Sequence, residues 1–161
     1  MHSFRHGSAA GLWHDLIREG EERRHLALGE ELQAYLVFAL MRHLGDAEIS
    51  GRIMALEWFQ AQERPVSPGR LRDVGDRCLL IAGWFPRVAR RRHVTPDYYI
   101  DLGRGAYATA AQRAPSCERG LFAQLAEAFR SLVDVLSAVR QPELAPIPLS
   151  DESRRRDARL N

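Results

Sequence analysis

The chain has 161 residues and a mass of 18.3 kDa, and its 45% hydrophobic and 27% charged residues are typical of one globular domain. All 23 of its basic residues are arginines, which excludes mechanisms that need a lysine amine, such as Schiff-base chemistry. The net charge of +2 is too small to steer a polyanion towards the whole surface, and two cysteines are too few for a disulfide framework.

Apolar residues recur at helical spacing along nearly the whole chain, and no stretch alternates cleanly between apolar and polar residues. This pattern predicts an all-α fold, an irregular bundle of five or six helices. We expect a flexible N-terminus over residues 1–7, a single helical domain over residues 8–140 and a disordered C-terminal tail over residues 141–161, which is rich in proline and charge.

Three helical segments are predicted in the first part of the chain. The first begins after Ser8, a good N-cap, and ends before Gly20. The second runs from Glu30 to Leu44, with acidic residues in its first turn, basic residues in its last turn and a leucine at every fourth position. A third segment opens at Asp46, and its apolar residues are Ile49, Ile53, Met54, Leu56, Trp58 and Phe59.

Proline marks the helix boundaries that follow. Ser67 is the expected N-cap of a fourth helix, which runs to about Phe85 and is broken or kinked by Pro86. Thr95 repeats this start signal before a proline, and a fifth helix is expected from there to about Arg113.

The last predicted helix begins at Pro115 and Ser116 and has the most regular apolar spacing in the chain. Its apolar residues, three and four apart, are Phe122, Leu125, Phe129, Leu132, Leu136 and Val139. We expect this seam to pack inside the bundle. The alternative is a homodimer that forms through residues 117–140.

Several glycines fall inside the predicted fourth and fifth helices, where each costs about 1 kcal/mol relative to alanine. Close helix packing explains them if Gly75, Ala82 and Gly83 meet Gly103, Ala106 and Ala110. The alternative is a cavity for a small ligand between the two helices.

These positions also carry a resemblance. Gly75-Asp76, then Ala82-Gly83-Trp84-Phe85-Pro86, then Tyr98-Tyr99 and Gly103 resemble an uncharacterised family of small helical bacterial proteins. The resemblance implies a bacterial cytoplasmic protein, and it brings no activity and no catalytic residue with it.

Carboxylates on the same two helices are the candidates for a pocket. Asp73 or Asp76 could pair with Asp97 or Asp101 in a cleft, where two carboxylates can bind a metal ion or act as acid and base. The tyrosines that would line this pocket are Tyr98, Tyr99 and Tyr107. The competing interpretation is a set of solvated ion pairs between residues three or four apart on a helix.

The histidines and cysteines do not form a recognisable site. Glu22 and His25 form one Glu-x-x-His pair, and a di-iron bundle needs two such pairs. We therefore predict no metal ligands and no cofactor, and place His14, His43 and His93 at helix ends or on the surface. Cys78 is expected in the core, whereas Cys117 in the first turn of a helix could be a reactive thiol.

The strongest local charge follows Pro86, where Arg87, Arg90, Arg91, Arg92 and His93 come together in the sequence. Arginines in such a cluster bind carboxylates and phosphates by bidentate contacts, and Trp84 beside them could stack on a ligand. The competing interpretation is a solvated helix end, where positive charge is favourable.

We interpret the chain as a bacterial, cytoplasmic interaction or regulatory protein whose arginines engage an acidic protein surface, and an enzyme is the less favoured class. One alternative is nucleic-acid binding through the same arginines. The other is a small-molecule or metal-dependent enzyme that uses the aspartates and tyrosines. The sequence contains no apolar run long enough to span a membrane.

Overall fold

A computed structural model describes residues 8–44 and 67–140, and these residues form α-helices without any β-strand. The seven helices of the described part are α1 (Ala9–Arg24), α2 (Glu30–His43), α3 (Pro68–Gly83), α4 (Pro86–Arg91), α5 (Pro96–Arg113), α6 (Ser116–Glu127) and α7 (Phe129–Val139). The predicted all-α bundle is confirmed. The predicted segment after Asp46, the N-terminal residues 1–7 and the tail 141–161 lie outside the described residues.

The predicted start signals set the beginnings of the helices. Ser8 caps α1 by accepting a hydrogen bond from the Gly11 N–H at 3.0 Å, and Ser67 caps α3 by accepting one from the Arg70 N–H at 3.4 Å. Helix α5 begins at Pro96 as expected, although the Thr95 side chain makes no capping hydrogen bond. Proline in the first turn fixes that boundary because the helix needs no N–H there.

Helix α3 lies at the centre of the bundle. It packs most extensively against α5 and also contacts α2, α4 and α7. Its buried residues include Leu71, Val74, Cys78 and Leu79, which confirms the expected core position of Cys78. In the described residues, no helix has both the length and the apolar character needed to cross a membrane.

The regular apolar seam is buried within the chain, as expected. All six of its side chains, Phe122, Leu125, Phe129, Leu132, Leu136 and Val139, have less than a tenth of their surface exposed. A homodimer through residues 117–140 therefore could not use this seam, because the protomer's own helices already cover it.

The seam is not carried by one helix. Ala128 has φ −90° and ψ 6°, outside helical values, and it separates α6 from α7. The break adjoins Phe129, whose fully buried ring lies against Tyr107, with 5.7 Å between ring centroids. The apolar spacing did not predict this break, because the intervals of three and four residues continue across it. Helical hydrogen bonds flank the break on both sides.

The predicted end of the first helix is wrong. Helix α1 continues through Gly20 to Arg24 and ends where His25 adopts a left-handed conformation with φ 54°. Gly20 is instead a packing position, because a Cβ atom there would lie 2.6 Å from the backbone oxygen of Val135. The glycine lets α1 approach α7 closely.

The glycines of α3 and α5 also mark close helix packing. A Cβ atom at Gly75 would lie 2.5 Å from Cε1 of Tyr107, and Gly103 leaves room for the ring of Phe129. The proposed partner of Gly83 is wrong: this glycine faces Leu136 on α7, not α5. The ring of Tyr107 therefore lies directly over the α3 backbone, next to Asp76.

Candidate functional site

One carboxylate lies at the centre of the described helices. Asp76 on α3 is completely buried, with 0% of its surface exposed. A buried ionised carboxylate is strongly unfavourable unless hydrogen bonds and a nearby positive charge compensate it. The side chains around Asp76 provide both kinds of partner.

Two tyrosine hydroxyls donate to the same oxygen of this carboxylate. Tyr35 from α2 donates to Oδ1 at 2.5 Å, and Tyr107 from α5 donates to it at 2.6 Å. Burial, and then the negative charge of Asp76, raise the pKa of both Tyr35 and Tyr107 well above the usual value. Both hydroxyls therefore keep their protons and act as donors.

The second oxygen of Asp76 faces the end of α2. His43 Nε2 lies 3.1 Å from Oδ2, and the imidazole is almost as deeply buried as the carboxylate. Because an ionised carboxylate only accepts hydrogen bonds, Nε2 carries the proton and donates it. Asp76 thus connects α2, α3 and α5 through three side-chain hydrogen bonds.

Two arginines supply positive charge at the edge of this cluster. Arg42 Nη1 lies 3.7 Å from Asp76 Oδ2 and 3.7 Å from Asp73 Oδ1, while Arg72 Nη2 lies 3.8 Å from Asp73 Oδ1. These distances exceed the range of a hydrogen bond, so the guanidinium groups act through charge alone. We call His43, Asp73, Asp76 and the two tyrosines Tyr35 and Tyr107 the Asp76 cluster.

The Asp76 cluster includes a group of atoms of the kind that binds metal ions. One nitrogen of His43 and one oxygen each of Asp73 and Asp76 all lie within 4.8 Å of one another. Imidazole nitrogen and carboxylate oxygen are both common metal ligands.

The structure brings together only part of the predicted pocket. Asp76 and Tyr107 lie together, and the half-buried Asp73 is at their edge. Asp97, Asp101 and Tyr98 are exposed on α5, outside the Asp76 cluster. Tyr99 is buried and packs edge-to-face against Tyr98, with 5.2 Å between ring centroids.

The sequence pattern did not single out Tyr35, and it predicted His43 at a helix end or on the surface. His43 is the last residue of α2, as expected, and its side chain is buried. The spacing contained the signal: Leu32, Leu36, Leu40 and His43 follow one buried face of the helix at intervals of four and three residues.

The predicted Glu-x-x-His pair is exposed at the end of α1. Glu22 and His25 are both on the surface, together with His93. The neighbouring Glu21 is buried and accepts hydrogen bonds from the Leu28 N–H at 2.9 Å and from Gln33 Nε2 at 2.5 Å. Glu21 therefore fixes the connection between α1 and α2.

The arginines after Pro86 form a surface on the short helix α4. Arg87, Arg90 and Arg91 are exposed, Arg92 is half-buried, and His93 is exposed with φ 59°. Trp84 is half-buried and packs edge-to-face against Trp13 of α1, with 5.6 Å between ring centroids. Its ring is therefore part of the α1 contact.

A further arginine, which directly follows another helix, joins this surface. Arg140, directly after α7, has a pKa lowered by burial and then by the charges of Arg90 and Arg87. Across residues 8–44 and 67–140, no carboxylate lies within ion-pair distance of these three guanidinium groups. We call Arg87, Arg90 and Arg140 the arginine surface.

No family model, curated protein or solved structure matches this chain. The resemblance of residues 75–103 to a bacterial family stays a prediction. Function is therefore inferred from the Asp76 cluster and the arginine surface.

Proposed function

We propose that this chain is an interaction or regulatory protein that binds an acidic surface of a partner protein through Arg87, Arg90 and Arg140. The observation that supports the proposal is the gathering of three guanidinium groups from two separate elements without a carboxylate nearby in the described chain.

Electrostatics favours an anionic partner at this surface. Arg90 and Arg87 lower the pKa of Arg140 after burial does, so the three positive charges repel one another. Carboxylates placed between them would relieve the repulsion and accept bidentate hydrogen bonds from the planar guanidinium groups. The repulsion falls when a partner binds, which makes complex formation more favourable.

An acidic protein fits this surface better than a nucleic acid does. Trp84 is half-buried and packs edge-to-face against Trp13, which limits its use as a stacking surface for a base. Helix α4 has only six residues, and the net charge of +2 gives the chain no broad positive field. A compact group of arginines suits a few carboxylates more than a long row of phosphates.

The same proposal places the protein in a bacterial cytoplasm. Neither cysteine forms a disulfide: Cys78 lies in the core and Cys117 on the surface, which fits a reducing compartment.

A binding assay with defined probes tests the proposal. The full chain is titrated with a fluorescent poly-glutamate peptide and with a single-stranded oligonucleotide of the same charge, each at two salt concentrations. The test variant changes Arg87, Arg90 and Arg140 to Ser. The matched control changes three exposed arginines elsewhere, Arg18, Arg24 and Arg104, to Ser and has the same net charge.

We expect the test variant to bind the peptide about tenfold or more weakly, and the control variant to bind within about twofold of wild type. Equal losses in both variants would mean that the peptide senses only net charge, and would contradict the proposal. Tighter binding of the oligonucleotide than of the peptide, with a steep salt dependence, would overturn it in favour of nucleic-acid recognition.

A further inference from the structure

The edge of the Asp76 cluster combines a buried imidazole with two carboxylates from a neighbouring helix. His43 is the last residue of α2, whereas Asp73 and Asp76 lie three residues apart on α3 and so share one face of that helix. The ligand atoms of the three residues lie within 4.8 Å of one another.

We propose that His43, Asp73 and Asp76 bind a divalent transition-metal ion, which links the C-terminal end of α2 to α3. This site is independent of the arginine surface, since it shares no residue with it.

The spacing of His43 and Asp76 fits a shared ion. His43 Nε2 and Asp76 Oδ2 are 3.1 Å apart. Two adjacent ligands that each lie about 2.1 Å from one metal ion are separated by about 3 Å, so this pair can bind without moving far. The ion would take the place of the Nε2 proton, which passes to the solvent.

The carboxylate oxygens that face the site still have free lone pairs. Within the described helices, Asp73 forms ion pairs with Arg42 and Arg72 at 3.7 and 3.8 Å, and neither distance is short enough for a hydrogen bond. Asp76 receives both tyrosine hydroxyls on Oδ1, which leaves Oδ2 directed at His43.

Two tyrosines orient the Asp76 carboxylate through its oxygen Oδ1, whereas Oδ2 faces His43. Hydrogen bonds to the outer oxygen of a ligating carboxylate fix its orientation, and loss of such partners weakens metal binding. Tyr35 and Tyr107 hold Asp76 in this way from two helices. These two hydrogen bonds fix the orientation of the Asp76 carboxylate.

Arg42 sets the limit on affinity. Its guanidinium group lies 3.7 Å from both carboxylates, so it would compete with a bound metal ion for the same two negative charges. Its side chain is 42% exposed, and therefore it can swing into solvent when an ion binds. Removal of Arg42 should strengthen metal binding, which a merely structural ion-pair network would not show.

The donor set selects the class of metal. One nitrogen and two oxygen ligands, with no thiolate, suit Zn²⁺, Co²⁺ or Mn²⁺ and disfavour soft ions such as Cu⁺. Water would complete the coordination on the side of the half-exposed Asp73. We therefore use Zn²⁺ and the coloured ion Co²⁺ as probes.

The test measures metal binding to the full chain by calorimetry with ZnCl₂ and by the visible absorption of bound Co²⁺. The variants are Asp73→Asn, Arg42→Gln and, as the matched control, Asp101→Asn, which removes an exposed carboxylate on α5. Asp73 is half-exposed, so its change should not unfold the protein; circular dichroism checks this. A His25→Ala variant tests binding to a surface histidine.

We expect one ion per chain, a loss of about tenfold or more in affinity for Asp73→Asn and wild-type affinity for Asp101→Asn and His25→Ala. Arg42→Gln should bind the ion several-fold more tightly. Absence of stoichiometric binding to wild type would overturn the proposal. Equal affinities of Asp73→Asn and Asp101→Asn, or loss of binding in His25→Ala, would overturn it too. None of these outcomes bears on the peptide assay of the arginine surface.

Discussion

The Asp76 cluster and the arginine surface handle charge in opposite ways. Asp76 is completely buried, and side chains from α2 and α5 supply its donors and its positive charge. Arg87, Arg90 and Arg140 lie at the periphery and repel one another, without a carboxylate nearby in the described helices. Charge that a fold satisfies internally fixes the helices, whereas charge that it leaves uncompensated is available to a partner.

Removal of the buried carboxylate should have the largest effect on stability. Asp76→Ala leaves two tyrosine hydroxyls, His43 and Arg42 without their shared partner. We expect a loss of about 3 to 5 kcal/mol in the free energy of unfolding, measured by urea denaturation. The exposed control Asp101→Ala should change it by less than about 0.5 kcal/mol. Similar losses in both variants would show that Asp76 does not hold the helices together.

The close packing beside Asp76 predicts a smaller loss. Gly75→Ala places a Cβ atom 2.5 Å from the ring of Tyr107, which is itself fully buried. Overpacking of this kind should reduce stability by about 1 to 3 kcal/mol. The matched control is Gly69→Ala on the same helix, where nothing lies within 4 Å of the new atom. Stability of the control should stay the same or rise slightly, since alanine favours helices.

Alkaline pH should also distinguish the Asp76 cluster from the arginine surface, because the cluster contains two tyrosines with a raised pKa. Burial and the charge of Asp76 raise the pKa of Tyr35 and Tyr107 above the value of about 10 that tyrosine has in an unfolded chain. The unfolded chain therefore releases protons that the folded protein keeps, so the contribution of these two tyrosines to stability is full below about pH 10 and is lost as the pH rises above it.

An ultraviolet titration of the tyrosines checks this prediction. Fewer of the four tyrosines should ionise in the folded protein than in urea, and Tyr35→Phe should reduce the deficit by one. A native titration that already includes Tyr35 and Tyr107 near pH 10 would contradict the geometry of the cluster.

The smallest effect is expected at the arginine surface. Arg90→Ser removes a positive charge close to Arg140, so the free energy of unfolding should stay within about 0.5 kcal/mol of wild type and shift towards greater stability. Arg104→Ser on α5 serves as the control. A clear loss of stability in Arg90→Ser alone would show that the arginines support the fold, which would weaken the proposal of a partner site.

The sequence was sufficient for much of the helical framework because local signals determine it. Ser8, Ser67 and Pro96 mark three helix starts, and the apolar spacing after Pro115 identifies the buried seam. Gly20 was misleading, since glycine ends a helix in some places and permits close packing in others. The break at Ala128 left no signal in the spacing.

The two sites depend on contacts that are distant in the sequence. Asp76 was a candidate from its position, but its partners Tyr35 and His43 come from α2, and no local pattern predicts that crossing. Arg140 is likewise distant in sequence from Arg87 and Arg90, whose charges lower its pKa after burial does. The predicted pairing of Asp76 with Asp101 assumed the wrong face of α5, which presents Tyr107 to Asp76 instead.

The most direct test compares arginine side chains of the arginine surface with those beside the Asp76 cluster. Nuclear magnetic resonance of the arginine side-chain N–H groups is recorded while the poly-glutamate peptide is added. We predict shifts for Arg87, Arg90 and Arg140 and none for Arg42 and Arg72, whose charge Asp73 and Asp76 already balance. Shifts centred on Arg42 and Arg72, with the three surface arginines unchanged, would contradict the account.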